Sequence, residues 1–318
     1  MTVWTKAKRA AALTLALLWL GPAAAQPAAV PATEAAPEAA TEVAPPGPRP
    51  AIWLLADEDT RIYLFGTVHI LPPGLVWRSA ALDRIVAEAD ELVMETAEDP
   101  DEADPAALEP LMMLGKPVPI LWQVAPHRRK ALREMIESVG LATEMFDGMQ
   151  AWAAAMTIAV TGIAQSYGGG EVPTGDLTGV EDALHADFAA AGRPISGVET
   201  GEQQLGFLAD MPLRDQRAML ETMIDSWLEE TTLDPGALPE EDWLSGDVEA
   251  IGEEMAQMPP ELFDVLLTRR NRAWTGWLIE RLDRPGTVLF AVGAGHLAGR
   301  DSVQSMLAEH GFTVTRHD

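Results

Sequence analysis

Short apolar runs that stop abruptly at glycine or at a charged side chain constrain this chain most. Ile62-Tyr63-Leu64-Phe65 runs into Gly66-Thr67-Val68-His69, and Thr287-Val288-Leu289-Phe290-Ala291-Val292 runs into Gly293-Ala294-Gly295-His296. Between them, Glu91-Leu92-Val93-Met94 stops at Glu95, and Pro194-Ile195-Ser196-Gly197-Val198 stops at Glu199. Unbroken apolar stretches with β-branched and aromatic residues, bounded by glycine, suit strands covered on both faces. A last short strand is expected over Phe312 to Thr315. Leu82, Ile85, Val86 and Ala89 recur at helical spacing between the first two strands, which predicts a β-α-β unit. Further helical stretches are expected over 127–166, interrupted at Gly140, and over 202–230, 248–282 and 301–310. This alternation predicts an α/β fold with a mixed, mostly parallel central sheet flanked by helices. In such sheets active groups gather beyond the carboxyl ends of strands, which is where His69, Glu95, Glu199 and His296 are expected.

Composition sets the frame. The 318 residues are 47% hydrophobic, enough for a sizeable core. Lys6, Lys8 and Arg9, the apolar run Ala10 to Leu20, and Ala23-Ala24-Ala25 before Gln26 read as a cleaved signal peptide over residues 1–25. The apolar run is about half of the roughly 20 residues that a membrane-spanning helix needs, so no stable anchor is expected after cleavage. Residues 26–50 are rich in Pro, Ala and Glu and lack aromatic side chains; such a segment reads as a flexible tether. The folded domain is expected over 51–318, in the periplasm or outside the cell. There is no cysteine, which excludes disulfides, thiolate ligands and a cysteine nucleophile. Loss of the three leader cations and no anion moves the formal charge from −27 to −30. Nucleic acid is a poor partner for that surface; a peptide or small-molecule substrate is the expected one.

The chemistry centres on the strand ends. A glycine three residues before each histidine lets the chain leave the sheet steeply, so Gly66 and Gly293 support the site. A neutral imidazole presented there can ligate a metal or act as a base. Glu95 can add a carboxylate. Two histidines and one carboxylate form a common three-ligand set with an open position for water, zinc being one ion so held. Taken singly, a strand-end histidine more often satisfies a buried hydrogen bond than binds a metal; the repeated context singles out the pair.

The ordered motifs resemble the TraB/GumN family, which includes the TIKI membrane-tethered metalloproteases. They are Tyr63-Leu64-Phe65-Gly66-Thr67-Val68-His69, Leu92-Val93-Met94-Glu95, Gly179-Val180-Glu181, Gly192 through Thr200, Arg270-Asn271, and Ala291-Val292-Gly293-Ala294-Gly295-His296-Leu297. The resemblance spans about residues 51–316. It implies a fold similar to the erythromycin-esterase and ChaN-like proteins, and a metal-dependent hydrolase, most plausibly a peptidase. By resemblance His69, Glu95 and His296 hold manganese or cobalt, and Arg270 and Asn271 position the substrate. Glu181 and Glu199 are expected as substrate-contacting or supporting acids. The central acid, commonly Asp in the family, is here Glu181 followed by Asp182, leaving open which of the two faces the site.

Other features carry less. His185, one helical turn after Glu181, reads as a solvated helix face; His127, His310 and His317 sit in polar contexts. Tyr167-Gly168-Gly169-Gly170 lacks the ending of a phosphate loop. Trp274 and Trp277 read as packing, and no Gly-x-Ser-x-Gly elbow is present. The alternative to an enzyme is a periplasmic binding protein on the same fold, taking a peptide or haem-like ligand without chemistry.

Overall fold

The computed structural model describes residues 47–72, 74–97, 105–168, 178–229 and 240–317. The expected signal peptide, most of the tether and the glycine-rich turn at 169–170 lie outside these residues.

Among the described residues six strands form one sheet: β1 Ile52–Ala56, β2 Thr60–Thr67, β3 Glu91–Met94, β4 Ile195–Gly197, β5 Gly286–Gly293 and β6 Val314–Arg316. Their order is β4-β3-β5-β2-β1-β6. The β4, β3, β5 and β2 ladders are parallel, whereas β1 pairs antiparallel with β2 and with β6. The expected α/β architecture with a mixed, mostly parallel sheet is therefore what the chain adopts. The β-α-β unit expected from β2 to β3 forms, with β5 inserted between its two parallel strands. One strand expectation needs adjusting. The Ile195 strand is an edge rather than a doubly covered one, and two of its three residues are exposed. β1, which was not foreseen, forms a hairpin with β2 through a turn in which Asp57 Oδ1 accepts from the amides of Asp59 and Thr60.

The central strands are apolar through their middles, where both sheet faces are buried. Tyr63, Phe65, Leu92, Met94, Leu289 and Ala291 face one core. Their alternates Ile62, Leu64, Val93, Val288, Phe290 and Val292 face a smaller one, as the period-2 pleat requires. Full burial of each large side chain contributes about 1.5–3 kcal/mol relative to exposure.

In chain order the helices are α1 Ala80–Glu88, α2 Pro105–Met112, α3 Arg129–Ser138, α4 Ala151–Gly168, α5 Val180–Ala190, α6 Gly201–Ala209, α7 Leu213–Leu228, α8 Glu240–Ser245, α9 Val248–Met255, α10 Pro260–Phe263, α11 Arg269–Leu282 and α12 Val303–Glu309. Gly140 takes a left-handed φ of 72° just past the end of α3, which is the break expected there. The smaller core is roofed by α11 and α12 through Trp274, Leu278, Leu282, Val303 and Leu307. A π-helical turn, Asp264–Thr268, leads directly into α11. Among the described residues no helix is long and apolar enough to cross a membrane.

Candidate active site

Parallel pairing of β2 with β5 sets the two Gly-x-x-His motifs side by side, Gly66 opposite Val292 and Thr67 opposite Gly293. The glycines are needed for closeness. A Cβ on Gly66 would stand 3.0 Å from Ala294 Cα, inside the second motif. A Cβ on Gly293 would stand 3.1 Å from Glu95 Oε1, 3.5 Å from His69 Nε2 and 3.6 Å from His296 Cδ2. Three side chains separated by up to 227 positions in the chain thus lie within 3.6 Å of one point.

Backbone hydrogen bonds aim each side chain. Beyond β2, Val180 N donates to Val68 O (3.0 Å) and Leu71 N to Thr178 O (3.1 Å), strapping the His69 loop to the start of α5. Gly179 is required at that strap, since a Cβ there would run into the His69 carbonyl. The strap brings Glu181 to His69, whose Nδ1 lies 2.7 Å from Glu181 Oε1. The Thr67 hydroxyl donates to the same oxygen. Asp182 turns the other way and accepts from Gly179 N (2.6 Å) as part of the helix cap. Of the two adjacent acids, Glu181 therefore faces the site.

On the other side of β5, the β3–β4 ladder continues past its strands. Val198 N donates to Met94 O and Glu199 N to Glu95 O (2.8 Å), so Glu95 and Glu199 leave the sheet together. Arg270, 1% exposed, lies between them. Its Nη2 donates to Glu95 Oε2 (2.5 Å) and to Glu199 Oε2 (2.8 Å), and its Nε donates to both Glu199 oxygens (3.0 Å each). Its Nη1 donates to Leu266 O in the π-helical turn (3.2 Å) and faces His296 Nε2 at 3.2 Å. Such π-turns recur at functional positions. Asn271, equally buried, faces His296 Nδ1 with its Oδ1 at 2.6 Å.

Two residues not foreseen in the sequence complete the cluster. Gln204 donates to Glu95 Oε2 (3.0 Å) and Glu199 Oε2 (3.2 Å). Its one signal was a polar side chain beside Leu205 and Leu208 on the buried face of α6. Trp274 donates to Glu199 Oε1 (2.9 Å) and lays its ring 4.3 Å from that of His296; helical spacing alone had marked it as packing. Of the remaining histidines, His127, His185 and His310 are exposed, and His317 packs edge-on against Tyr63.

The electrostatics divide the two imidazoles. Burial alone would discharge His69, but the Glu181 carboxylate, through charge and hydrogen bond, raises it from 6.5 to about 9. Burial and the nearby Arg270 charge push His296 down to about 3. Burial would raise the Glu95 carboxyl, yet Arg270 and the two histidines hold it at about 2. At neutral pH His69 is charged, His296 neutral and Glu95 ionised. His69 Nε2 is buried without a protein partner, as is Glu181 Oε2.

Two imidazoles and a carboxylate around one point fit a divalent ion in donor type. In posture the set is closed: His296 turns a ring carbon to the shared point while its Nε2 meets Arg270 and lies 3.6 Å from Glu95 Oε1. Among the described residues no three His, Asp or Glu side chains stand as a ready ligand group.

Fold and site together define a class: α/β proteins with twin Gly-x-x-His turns meeting over a buried acid. The profile of the TraB/PrgY/gumN family matches residues 51–316, and the chain belongs to that family. No curated protein and no solved structure gives a significant match.

Proposed function

We propose that the chain is an exported, metal-dependent hydrolase that acts on peptides, with His69, Glu95 and His296 as its working centre. The observation that carries this reading is the meeting of those three side chains beside Gly293, with His69 Nε2 left unpartnered. They are the residues that would hold a divalent ion such as manganese, cobalt or zinc. An ion there supplies Lewis acidity toward a carbonyl and a water acidic enough to attack near neutral pH. The protein's own groups do the rest. Glu181 accepts from His69 Nδ1–H and so fixes the ring with Nε2 toward the shared point, where its lone pair would meet the ion once the Nε2 proton has left. Arg270 keeps Glu95 ionised and holds it in place. Export rests on the leader composition of residues 1–25, and processing after Ala25 places the domain in the periplasm or outside the cell.

One observation favours a second reading. Because Arg270 Nη1 faces His296 Nε2, the centre already holds a cation, which suits a protein that binds a peptide or haem-like ligand without chemistry. The two readings part in one experiment. The mature chain is incubated with a peptide library, with and without added Mn²⁺ or Co²⁺, and products are read by mass spectrometry. Metal-stimulated cleavage, lost in His69→Ala and His296→Ala, supports the hydrolase. Retention of peptides uncleaved in every condition contradicts it and supports binding.

A further inference from the structure

We propose that Asn271 is the positioning residue of His296, locking its ring as the Nδ1–H tautomer so that the Nε2 lone pair points toward Arg270 and Glu95. An asparagine amide can face either way, and the surroundings decide. Asn271 Nδ2 faces two backbone carbonyls, Asp301 O at 2.7 Å and His296 O at 3.4 Å. Carbonyls only accept, so the NH2 end is committed to them. The oxygen is what remains 2.6 Å from His296 Nδ1, and an acceptor there requires the proton on Nδ1. The other nitrogen gives the same answer. Arg270 Nη1, 3.2 Å from Nε2, can only donate, so Nε2 must carry a lone pair. The opposite tautomer would set N–H against N–H at Arg270 and lone pair against lone pair at Asn271.

Two consecutive residues of α11 thus read the two nitrogens of a single ring, while Trp274, one turn on, covers its face at 4.3 Å. The contrast with His69 gives the arrangement its meaning. Glu181 brings a charge to the ring it orients, whereas Asn271 brings none. An amide fixes the tautomer without adding a charge. The twin motifs therefore hold their rings by unlike partners, a carboxylate at His69 Nδ1 and an amide oxygen at His296 Nδ1. The use of that lone pair in chemistry rests on the function proposed above; the tautomer does not.

The test is a long-range proton–nitrogen NMR spectrum of the uniformly ¹⁵N-labelled mature chain, stripped with chelator, at neutral pH. His296 signals are assigned by their loss in His296→Gln. The expected result is a protonated Nδ1 and a bare Nε2. In Asn271→Ala the Nδ1 resonance moves toward the bare position as the tautomers mix, whereas Asn271→Asp, which keeps an acceptor there, retains the proton on Nδ1. A wild-type ring protonated on Nε2, or an Asn271→Ala spectrum identical to wild type, overturns the proposal. Should Asn271→Ala fail to fold, the wild-type and Asn271→Asp spectra decide. A locked tautomer in a protein that cleaves nothing contradicts only the hydrolase reading; mixed tautomers in a protein that cleaves peptides contradict only the lock.

Discussion

Arg270 shows how much of this site is a matter of single side chains. It is 1% exposed and lies between two buried carboxylates, Glu95 and Glu199. Removing a buried charge strands its partners, at a cost of about 3–5 kcal/mol. Arg270→Met is therefore expected to lower unfolding free energy by about that much in denaturant titrations, whereas Arg300→Met, an exposed partner of Asp301, changes it by well under about 1 kcal/mol. Equal effects would contradict the account. The sequence had marked Arg270 and Asn271 as a pair only through resemblance; in a basic run from Arg269 to Arg272, composition alone points to solvent. Gln204 and Trp274 were illegible for a related reason. Each contributes by what it meets across the fold, Glu95 from 109 positions away and Glu199 from 75, and no local pattern encodes that meeting. Glu181 and Asp182 were resolved only by their partners in space, His69 for the one and Gly179 N for the other.

At the scale of elements, the three strands that build the site were all readable, as were the Ile195 strand and, two residues out of place, the last one. β2, β3 and β5 are apolar runs that end in glycine or acid, and those endings are the site. β1 was missed because Ile52–Ala56 follows a proline-rich stretch, and its strand character depends on the hairpin with β2. The order of the sheet was illegible too, since nothing in either segment states that β5 comes between β2 and β3. That insertion is what sets both histidine turns beside Glu95. It also makes Gly293 critical. Gly293→Ala is expected to fill the meeting point of Glu95, His69 and His296, abolishing the metal binding and cleavage proposed above while destabilising by about 1–3 kcal/mol, a typical cost of overpacking. Calorimetric metal titration and thermal melting check both parts. Unchanged metal affinity would show that those three groups do not work around that point.

For the whole molecule, the opposed shifts of the three buried groups set how stability follows pH. Glu95, held at about 2 against an ordinary 4.5, stabilises above 4.5 and loses this as pH falls through about 2. His296, held at about 3, stabilises above 6.5, and the contribution fades as pH falls toward 3. His69, raised to about 9, acts in the opposite sense: its contribution is complete below 6.5 and is lost as pH rises through about 9. The metal-free protein is thus expected to melt highest near pH 6.5, with an acid limb and an alkaline limb. His69→Gln should flatten the alkaline limb and His296→Gln the upper part of the acid one, as read by calorimetry across the range. The resemblance and the strand–helix alternation had made the class of fold legible; the division of the two histidines into one charged and one neutral ring needed the three-dimensional neighbours.

The central claim is that two imidazoles and Glu95 act as one centre, and metal stoichiometry by equilibrium dialysis tests it most directly. Work near pH 9, where His69 is about half deprotonated, limits competition from its proton. One Mn²⁺, Co²⁺ or Zn²⁺ per wild-type chain is expected, falling to none in His69→Ala, Glu95→Gln and His296→Ala with the fold intact. No bound metal in the wild type, or a full equivalent retained by any of the three variants, would contradict it.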